Sequence, residues 1–250
     1  MNAPQTTHFG YSTVFLDEKP KLVQALFSSV AGSYDVMNDV MSFGIHRLWK
    51  DALIDWVKPR AGQHFLDLAG GTGDVAFRIA KAIKGQQGSL TICDLTPDML
   101  AEGEKRAARQ PQLGPLTWIA GDAMDLPFSD SSFDVITLVF GLRNVSDPAK
   151  ALRDIYRVLR PGGRFFCLEF STVVLPLLDR AYEAFSFNLI PLMGQIVAGD
   201  RDSYQYLVES IRQFPDQDTL KTMMREAGFA KVGYRNLSGG ITAIHQGIKI

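Results

Sequence analysis

Short apolar runs and amphipathic segments alternate along the middle of the chain. Runs such as VITLVF are apolar at nearly every position, which is typical of parallel strands buried on both faces. The segments between them carry apolar residues three to four positions apart, the spacing of an amphipathic helix. The pattern predicts strands at 63–68, 89–94, 115–120, 133–140 and 163–170, and helices at 46–57, 74–83, 97–109 and 147–159. We therefore expect an α/β fold in which helices cover both faces of a mostly parallel sheet.

The N-terminal end departs from this alternation. Residues 1–20 show no clear periodicity and predict an arm. The next segment begins as a helix whose apolar face is expected to contain Leu22, Ala25, Leu26 and Val30. We therefore divide the chain into an N-terminal arm and helical lid at 1–58 and a larger unit at 59–250.

The C-terminal end departs from it as well. An aromatic-rich insertion at about 171–214 follows the fifth strand, and a helix over 216–228 comes next. Two strand-like segments then follow each other, 229–237 and 240–250, with no helix between them. Strands joined without a crossover helix pair antiparallel. The whole pattern predicts a seven-stranded, mostly parallel sheet with a helical insertion after strand five.

Composition and charge narrow the class of protein. The chain has 26 basic and 27 acidic residues and no block of like charge, which argues against nucleic acid as a partner. Cys93 and Cys167 lie in apolar runs, which favours a reducing cytoplasm. The N-terminus has no signal-peptide pattern, and the most apolar stretch, FSFNLIPLMGQIVAG, has about 15 residues where a membrane-spanning helix needs roughly 20. We expect a soluble cytoplasmic protein, and the scattered histidines suggest no metal site.

A glycine-rich turn, FLDLAGGTGDVA at 65–76, directly follows the first core strand. A phosphate-binding P-loop is excluded because Gly73 is followed by Asp74, not by Lys and Ser or Thr. The sequence GTGDVA matches the dinucleotide-binding pattern, and Asp94 ends the next strand, where a carboxylate binds ribose hydroxyls. Asp94 suits any adenosine cofactor, so nicotinamide and S-adenosylmethionine both remain open at this point. A helix N-cap is the alternative role for Asp94.

Two further acids favour S-adenosylmethionine. Asp67 directly precedes the glycines, where a carboxylate would attract an ammonium or sulfonium and repel a pyrophosphate. Asp122 follows the third strand, where its side chain and the Ala123 N–H could bind an adenine edge. The predicted cofactor-binding residues are Asp67, Gly70, Gly71, Thr72, Gly73, Asp94, Asp122 and Ala123.

This arrangement resembles class I S-adenosylmethionine-dependent methyltransferases, whose fold is Rossmann-like. Two long segments, YDVMNDVMSFGIHRLWK at 34–50 and RVLRPGGRFFCLEFS at 157–171, closely resemble the ubiquinone/menaquinone biosynthesis C-methyltransferases. FGLRNV at 140–145 is similar to that family as well, but Val139 stands where many members, as we read the pattern, have a serine. The resemblance implies C-methylation of a polyprenylated hydroquinone, either 2-polyprenyl-6-methoxy-1,4-benzoquinol, demethylmenaquinol or both.

The expected chemistry requires a phenol that can lose its proton, because a neutral ring carbon is a poor nucleophile. We hypothesise that Arg143 stabilises the phenolate or orients a proton-accepting water, while Tyr34 and Asn144 hold the ring hydroxyls. His46, beside Asp35, Asn38 and Asp39 on the lid, completes the candidate catalytic set. The alternatives are an ion pair of Arg143 with Asp147, and capping or packing roles for the lid residues.

The apolar segment at 182–197 raises three alternatives for partners. It could form a groove for the prenyl tail, contact the inner face of a membrane transiently, or pair with a second subunit or a quinone-biosynthesis complex. Core packing is the fourth reading of the same residues. Three rival functions also stay open: a methyltransferase for another small acceptor, a nicotinamide oxidoreductase, and a non-catalytic adenosyl-binding module.

Overall fold

The computed structural model describes residues 5–33, 38–39, 42, 44–83, 88–174 and 201–250. Several predictions fall on residues outside these ranges: the roles of Tyr34 and Asp35 on the lid, most of the helical insertion predicted at about 171–214, and the partners of the apolar segment at 182–197. The remaining elements and site residues can be compared with the structure directly.

The N-terminal arm contains a β-hairpin, which the sequence analysis did not predict. Strand β1, Thr6–Phe9, pairs antiparallel with β2, Ser12–Phe15, across a two-residue turn. Helix α1, Lys19–Val30, follows with a proline in its first turn, a position where the missing N–H costs nothing. Helix α2, Ile45–Val57, then packs against the core.

The apolar face predicted for α1 is confirmed at Val30 and wrong at Leu22 and Ala25, which are exposed. Leu22 is 39% exposed, whereas Val23 and Val30 are buried. The pattern permitted either face because apolar residues occur all round this helix. The buried face of α1 is therefore decided by the elements against which this helix packs and not by the apolar pattern of the helix itself.

The alternation of strands and helices predicted for the middle of the chain is confirmed. The core elements are β3 His64–Leu68, α3 Asp74–Ile83, β4 Ser89–Asp94, α4 Pro97–Ala108, β5 Thr117–Ala120, β6 Phe133–Val139, α5 Pro148–Val158 and β7 Leu159–Phe170. The C-terminal elements are α6 Arg201–Gln213, α7 Gln217–Glu226, β8 Ala230–Leu237 and β9 Thr242–Ile248.

Seven strands form one sheet in the order β5-β4-β3-β6-β7-β9-β8. The first five of these are parallel, and β9 runs antiparallel to both β7 and β8. The seven-stranded, mostly parallel sheet with an antiparallel end is therefore confirmed. The strand order reverses between β3 and β6, and ligands of open α/β sheets bind at the carboxyl ends of strands beside such a switch.

Each face of the sheet carries its own apolar cluster. Neighbouring residues of one strand point to opposite faces, so Leu66 joins the cluster with α5 and α7, and Phe65 joins the one with α2 and α3. Helix α2 is also joined to α3 by an ion pair, in which the buried Lys50 Nζ lies 2.7 Å from Asp74 Oδ2. Because both faces of the sheet are covered, a ligand can reach the sheet only at the ends of its strands.

Candidate functional site

A cavity lies at the carboxyl ends of β3, β4 and β6, with α1 along one side. The residues that follow these strands supply Ala69, Leu95 and Phe140 to its wall. Ala69 and Phe140 have positive φ angles of 52° and 55°, which is uncommon for residues other than glycine. The chain therefore turns sharply at the ends of two adjacent strands, and this sharp turn opens the space between them.

Asp94 ends β4 in the cavity wall and is held by two backbone groups. The Gly71 N–H donates to its Oδ2 at 2.8 Å, and the Thr96 N–H donates to its Oδ1 at 2.9 Å. Burial raises the pKa of this carboxyl, and those two hydrogen bonds act in the opposite direction. Each carboxylate oxygen accepts more than one hydrogen bond, so Asp94 can also bind hydroxyl groups in the cavity.

Of the three glycines in the turn, Gly71 lines the cavity. Its positive φ angle favours glycine at this position. Its φ is 52°, and a Cβ added to it would lie 3.1 Å from Met99 Cε and 4.0 Å from Asp94 Oδ2. A side chain at this position would therefore fill the space beside the carboxylate. These features fit the adenosyl cofactor predicted from the sequence, because a ligand bound by Asp94 must pass close to this backbone.

The other residues of the turn lie outside the cavity wall. Gly70 packs so closely on Ile92 that a Cβ would come within 2.6 Å of it, and Gly73 packs in the same way on Trp118. Thr72 is buried and accepts a hydrogen bond from Arg106 through its hydroxyl. Gly70 and Gly73 pack the turn against the neighbouring strands, and Thr72 links it to α4, while Gly71 lines the cavity.

Asp67 is buried in the sheet and does not line the cavity. Its Oδ1 accepts from the Thr137 hydroxyl at 2.7 Å, and its Oδ2 accepts from the Ala76 N–H at 3.0 Å. The carboxyl thus joins β3 to β6 and to the first turn of α3. Burial raises its pKa from 3.8 to about 7, although both hydrogen bonds oppose that shift.

The stability of the cofactor-free protein should depend on pH through Asp67. The pKa is higher in the folded protein than in the unfolded chain, so this carboxyl's stabilising contribution is fully present below pH 3.8 and is lost as the pH rises through about 7. Relative to Asp67→Asn, the wild type should therefore lose about 1.4 kcal/mol in the free energy of unfolding per pH unit across this range. Urea unfolding of both proteins between pH 5 and 8 measures the difference.

A second substitution checks the origin of this dependence. Thr137→Val removes a hydrogen bond that lowers the pKa of Asp67, so it should move the pH-dependent region upward. A difference between wild type and Asp67→Asn that is constant from pH 5 to 8 would contradict the assignment.

Asp122 and Ala123 lie together in the cavity wall, next to Met124. Asp122 Oδ1 accepts from the Met124 N–H at 2.8 Å, which fixes the side chain. This hydrogen bond uses only Oδ1 of the carboxylate. Gly71, Asp94, Asp122 and Ala123, four of the predicted cofactor-binding residues, thus line the same cavity. Their roles in binding the cofactor stay predictions.

Sequence reasoning missed most of the apolar cavity wall. Met99, Met124 and Val139 line it, and α1 adds Pro20, Val23 and Phe27. Val139 could have been found, because it is the last residue of β6 and strand ends meet at this edge. The α1 residues carried no comparable signal, since the contact of this helix with the cavity is a tertiary feature.

Arg143 is buried in an ion pair with a residue that the sequence analysis did not consider. Its Nη1 lies 2.8 Å from Glu169 Oε1, and both side chains are almost wholly buried. The alternative that Arg143 pairs with a nearby acid is confirmed, but Asp147, the acid named as its example, is not the partner and instead caps α5 by accepting from the Lys150 N–H at 2.9 Å. Arg143 does not line the cofactor cavity; it faces a second, adjoining cavity.

Asn144 lies in the wall of the cofactor cavity, one residue further along the same turn. Its Oδ1 accepts a hydrogen bond of 3.0 Å from the hydroxyl of Tyr206 on α6. Tyr206 in turn stacks on Phe9 of the hairpin, with ring centroids 4.2 Å apart. Asn144 is therefore held in place by elements that lie far away in the sequence.

His46 is buried at the start of α2 and lines neither cavity. Its Nδ1 lies 2.7 Å from Ser42 Oγ, and its Nε2 lies 3.6 Å from Asp39 Oδ1. Burial is the main cause that lowers its pKa to about 4, so the ring is neutral at physiological pH. The structure places His46 in local packing of the lid and does not bring it together with Arg143 and Asn144.

The residues that the structure describes include no group of three or more His, Cys, Asp or Glu side chains arranged to hold a metal ion. None of the helices described is both long enough and apolar enough to cross a bilayer.

Comparison with known proteins places the chain in a family. The model of the ubiE/COQ5 methyltransferase family matches residues 13–249. The chain belongs to the ubiE/COQ5 methyltransferase family. It is 58% identical over 246 residues to the ubiquinone/menaquinone biosynthesis C-methyltransferase UbiE of Roseobacter denitrificans, with 98% of each chain covered.

A more distant relative agrees with this membership, and a solved structure is similar in its fold. This methyltransferase is 48% identical over 277 residues to the mitochondrial 2-methoxy-6-polyprenyl-1,4-benzoquinol methylase of Dictyostelium discoideum, covering 100% of this chain and 88% of that one. It is similar to a SAM-dependent methyltransferase from Aquifex aeolicus with a TM-score of 0.59 at 14% identity, covering 80% and 89% of the two chains. At that identity the likeness shows the fold, and it confirms the class I methyltransferase fold.

Proposed function

We propose that the protein transfers a methyl group from S-adenosylmethionine to a ring carbon of a polyprenylated hydroquinone in the biosynthesis of ubiquinone, menaquinone or both. The family membership supports this activity. The charge of the residues that line the cofactor cavity supports S-adenosylmethionine as the cofactor. Among the described residues that line this cavity, Asp94 and Asp122 are acidic and none is Lys or Arg. Such a wall favours a cationic sulfonium and disfavours a dinucleotide, whose pyrophosphate needs compensating charge.

The residues of the cavity divide the binding of the cofactor between them. Asp94 would accept hydrogen bonds from the ribose hydroxyls, and Gly71 would allow the ligand to lie against the backbone. Asp122 and the Ala123 N–H would bind the edge of the adenine. The cofactor would supply the methyl group from its sulfonium sulfur and would remain as S-adenosylhomocysteine. The ring carbon would gain the methyl group and lose its own proton.

The remaining residues act on the acceptor ring. Asn144 lies in the cavity wall, and its Oδ1 accepts from the Tyr206 hydroxyl, which supports the proposal that its NH₂ group binds a ring hydroxyl. Positioning of this kind supplies much of the catalysis in a two-substrate displacement. Arg143 could act on a ring oxygen only if that oxygen entered the second cavity, because its guanidinium lines that cavity alone.

Methyl transfer to defined acceptors tests the proposed function. Short-chain prenyl benzoquinol and naphthoquinol would each be offered, reduced and oxidised, with labelled S-adenosylmethionine, and the product mass measured. We expect carbon-methylated product from the reduced forms alone, because only a quinol can provide a phenolate. The ratio of the two products would define the preferred ring.

Two outcomes would overturn the proposal. Methylation of the oxidised quinones would exclude the phenolate route. Cofactor binding without methylation of any quinol, including in the presence of phospholipid vesicles, would favour the non-catalytic adenosyl-binding module.

We also propose that the segment at 182–197 receives the prenyl tail. Its apolar composition, with Phe185, Leu189, Ile190, Leu192 and Ile196, supports this, since an isoprenoid chain needs an apolar surface. Membrane contact and pairing with a second subunit or complex stay predictions for the same residues.

A further inference from the structure

A second cavity adjoins the cofactor cavity, since Val145 and Ser146 lie in the walls of both. The hairpin, the first residue of α1 and the C-terminal half of α6 enclose it. Its volume is about 110 Å³, a little below the roughly 150 Å³ of an engineered cavity that admits benzene. One edge of an aromatic ring fits a space of this size. The polar lining of the cavity includes His8, Lys19, Arg143, Ser146, Tyr206 and Ser210.

Lys19 is a buried cation in this wall. Its side chain reaches two backbone oxygens, those of Arg143 at 3.3 Å and Val145 at 3.1 Å. An ammonium group has three N–H donors, so one donor remains beyond these two bonds. Burial and the nearby Arg143 lower its pKa to about 8, which leaves Lys19 mainly protonated at neutral pH.

The charges around the cavity do not balance. Arg143 is paired with Glu169, whereas Lys19 is bound to carbonyl oxygens, and none of the described residues that line the cavity is acidic. The Nε of Arg143 and the hydroxyl of Ser146 are buried without a hydrogen-bond partner. Buried donors without partners are costly, and a buried cation without a counter-ion is costlier still. These groups together call for a ligand that brings a negatively charged oxygen.

We propose that the second cavity receives an oxygen of the hydroquinone ring and that Lys19 stabilises this oxygen as a phenolate. The inference rests on the proposed function, which requires an ionised quinol. The hydroxyl proton leaves to solvent, and the phenolate directs electron density onto the neighbouring ring carbon. That carbon forms the new carbon–carbon bond as the sulfur–methyl bond breaks, and the electron pair of the broken bond stays on the sulfur of S-adenosylhomocysteine. The ring carbon then loses its own proton to solvent, which restores the aromatic phenolate, and the oxygen regains a proton when the product leaves. The ring thus lies across Val145 and Ser146, with its oxygen at Lys19 and its reacting edge in the cofactor cavity.

A chromogenic phenol tests the charge effect without any methyl transfer. 4-Nitrophenol would be titrated by absorbance with the protein saturated in S-adenosylhomocysteine. An opposite charge at about 4–6 Å shifts a pKa by one unit or more, so the bound probe should ionise at least about one pH unit lower than the free probe. The shift should persist in Lys21→Met, an exposed neighbour on α1, and disappear in Lys19→Met. Equal ionisation of the probe in all three proteins would overturn the proposal.

A cavity-filling variant tests the location without touching the lysine. Ser210 lines the second cavity and not the cofactor cavity, so Ser210→Leu should weaken binding of 4-nitrophenol at least tenfold. The affinity for S-adenosylhomocysteine should stay unchanged, which shows that the variant is folded. Undiminished binding of the probe to this variant would place the phenol elsewhere and exclude the inference.

The pH profile of kcat/KM for the quinol separates a role in ionisation from a structural one. The titratable groups that line the cavity with Lys19 are Arg143 from the turn after β6, His8 from β1 and Tyr206 from α6, and Glu169 from β7 reaches this cluster through its ion pair with Arg143. The wild-type profile should fall above about pH 8 as Lys19 loses its proton. In Lys19→Met this limb should be absent and the value near pH 7 about a hundredfold lower, the scale of losing one oxyanion donor. Lys19→Arg should keep activity above pH 8.

The two failures can be told apart. If the wild type methylates quinols and Lys19→Met shows the same profile, the role of Lys19 is excluded while the proposed function stands. If the wild type methylates no quinol, the proposed function fails, and the 4-nitrophenol titration still decides whether the cavity binds a phenolate.

Discussion

Glu169→Ala should lower the free energy of unfolding by about 3–5 kcal/mol, the cost of leaving a buried charge without its partner. Glu169 Oε1 lies 2.8 Å from Arg143 Nη1 and also accepts from the Phe170 N–H at 2.9 Å. Removal of this carboxylate leaves the guanidinium buried beside Lys19, which carries the same charge. Urea unfolding at pH 7 measures the loss.

An exposed pair in the same protein provides the matched control. Arg157 also pairs with Asp130, at 2.9 Å, but Asp130 is 75% exposed. Exposed pairs contribute about 0–1 kcal/mol, so Asp130→Ala should change the unfolding free energy by less than 1 kcal/mol.

Replacement of both buried partners separates charge from packing. The double variant Arg143→Met with Glu169→Leu removes the charge and keeps most of the volume, so we expect it to recover most of the lost stability. A Glu169→Ala protein no less stable than Asp130→Ala would mean that this ion pair does not hold the turn after β6.

The second large effect is expected on the affinity for the cofactor. Asp94→Ala should weaken the binding of S-adenosylhomocysteine between about tenfold and about a hundredfold, since hydrogen bonds to a charged group contribute roughly 1.5–3 kcal/mol. The variant also loses the acceptor for the Gly71 and Thr96 N–H groups, which loosens the turn against which the ligand lies. Isothermal titration calorimetry measures the change.

Two further variants sharpen this measurement. Asp98→Ala removes an exposed acid from the first turn of α4 and should leave the affinity unchanged. Asp94→Asn keeps one oxygen acceptor and should fall between Asp94→Ala and the wild type. An unchanged affinity in Asp94→Ala would remove this residue from the ribose site and leave only its role as an acceptor for backbone N–H groups.

The sequence determined the elements of the core because their signals are local. The predicted bounds of α3 and β4 agree with the structure residue for residue, since helical spacing and a continuous apolar run are both read within one segment. The positions of Asp94 and Asp122 followed from the same information. Parallel strands end at one edge of a sheet, so acids directly after them meet there. Long motifs shared with relatives identified the family to which the chain belongs, and no single residue could have done so.

Only the tertiary structure decided what distant segments do to each other. Asp147, four residues away, was the example of an ion-pair partner that the sequence offered for Arg143, but the partner in the structure is Glu169 on the adjacent strand β7. The buried face of α1 and the charge environment of Lys19 likewise depend on contacts with the turn after β6. Burial and pairing are properties of the packed chain, because they depend on which groups exclude water from each other. The sequence therefore determined which strand ends supply the acids of the cavity wall, and the fold decided which buried charges lie next to one another.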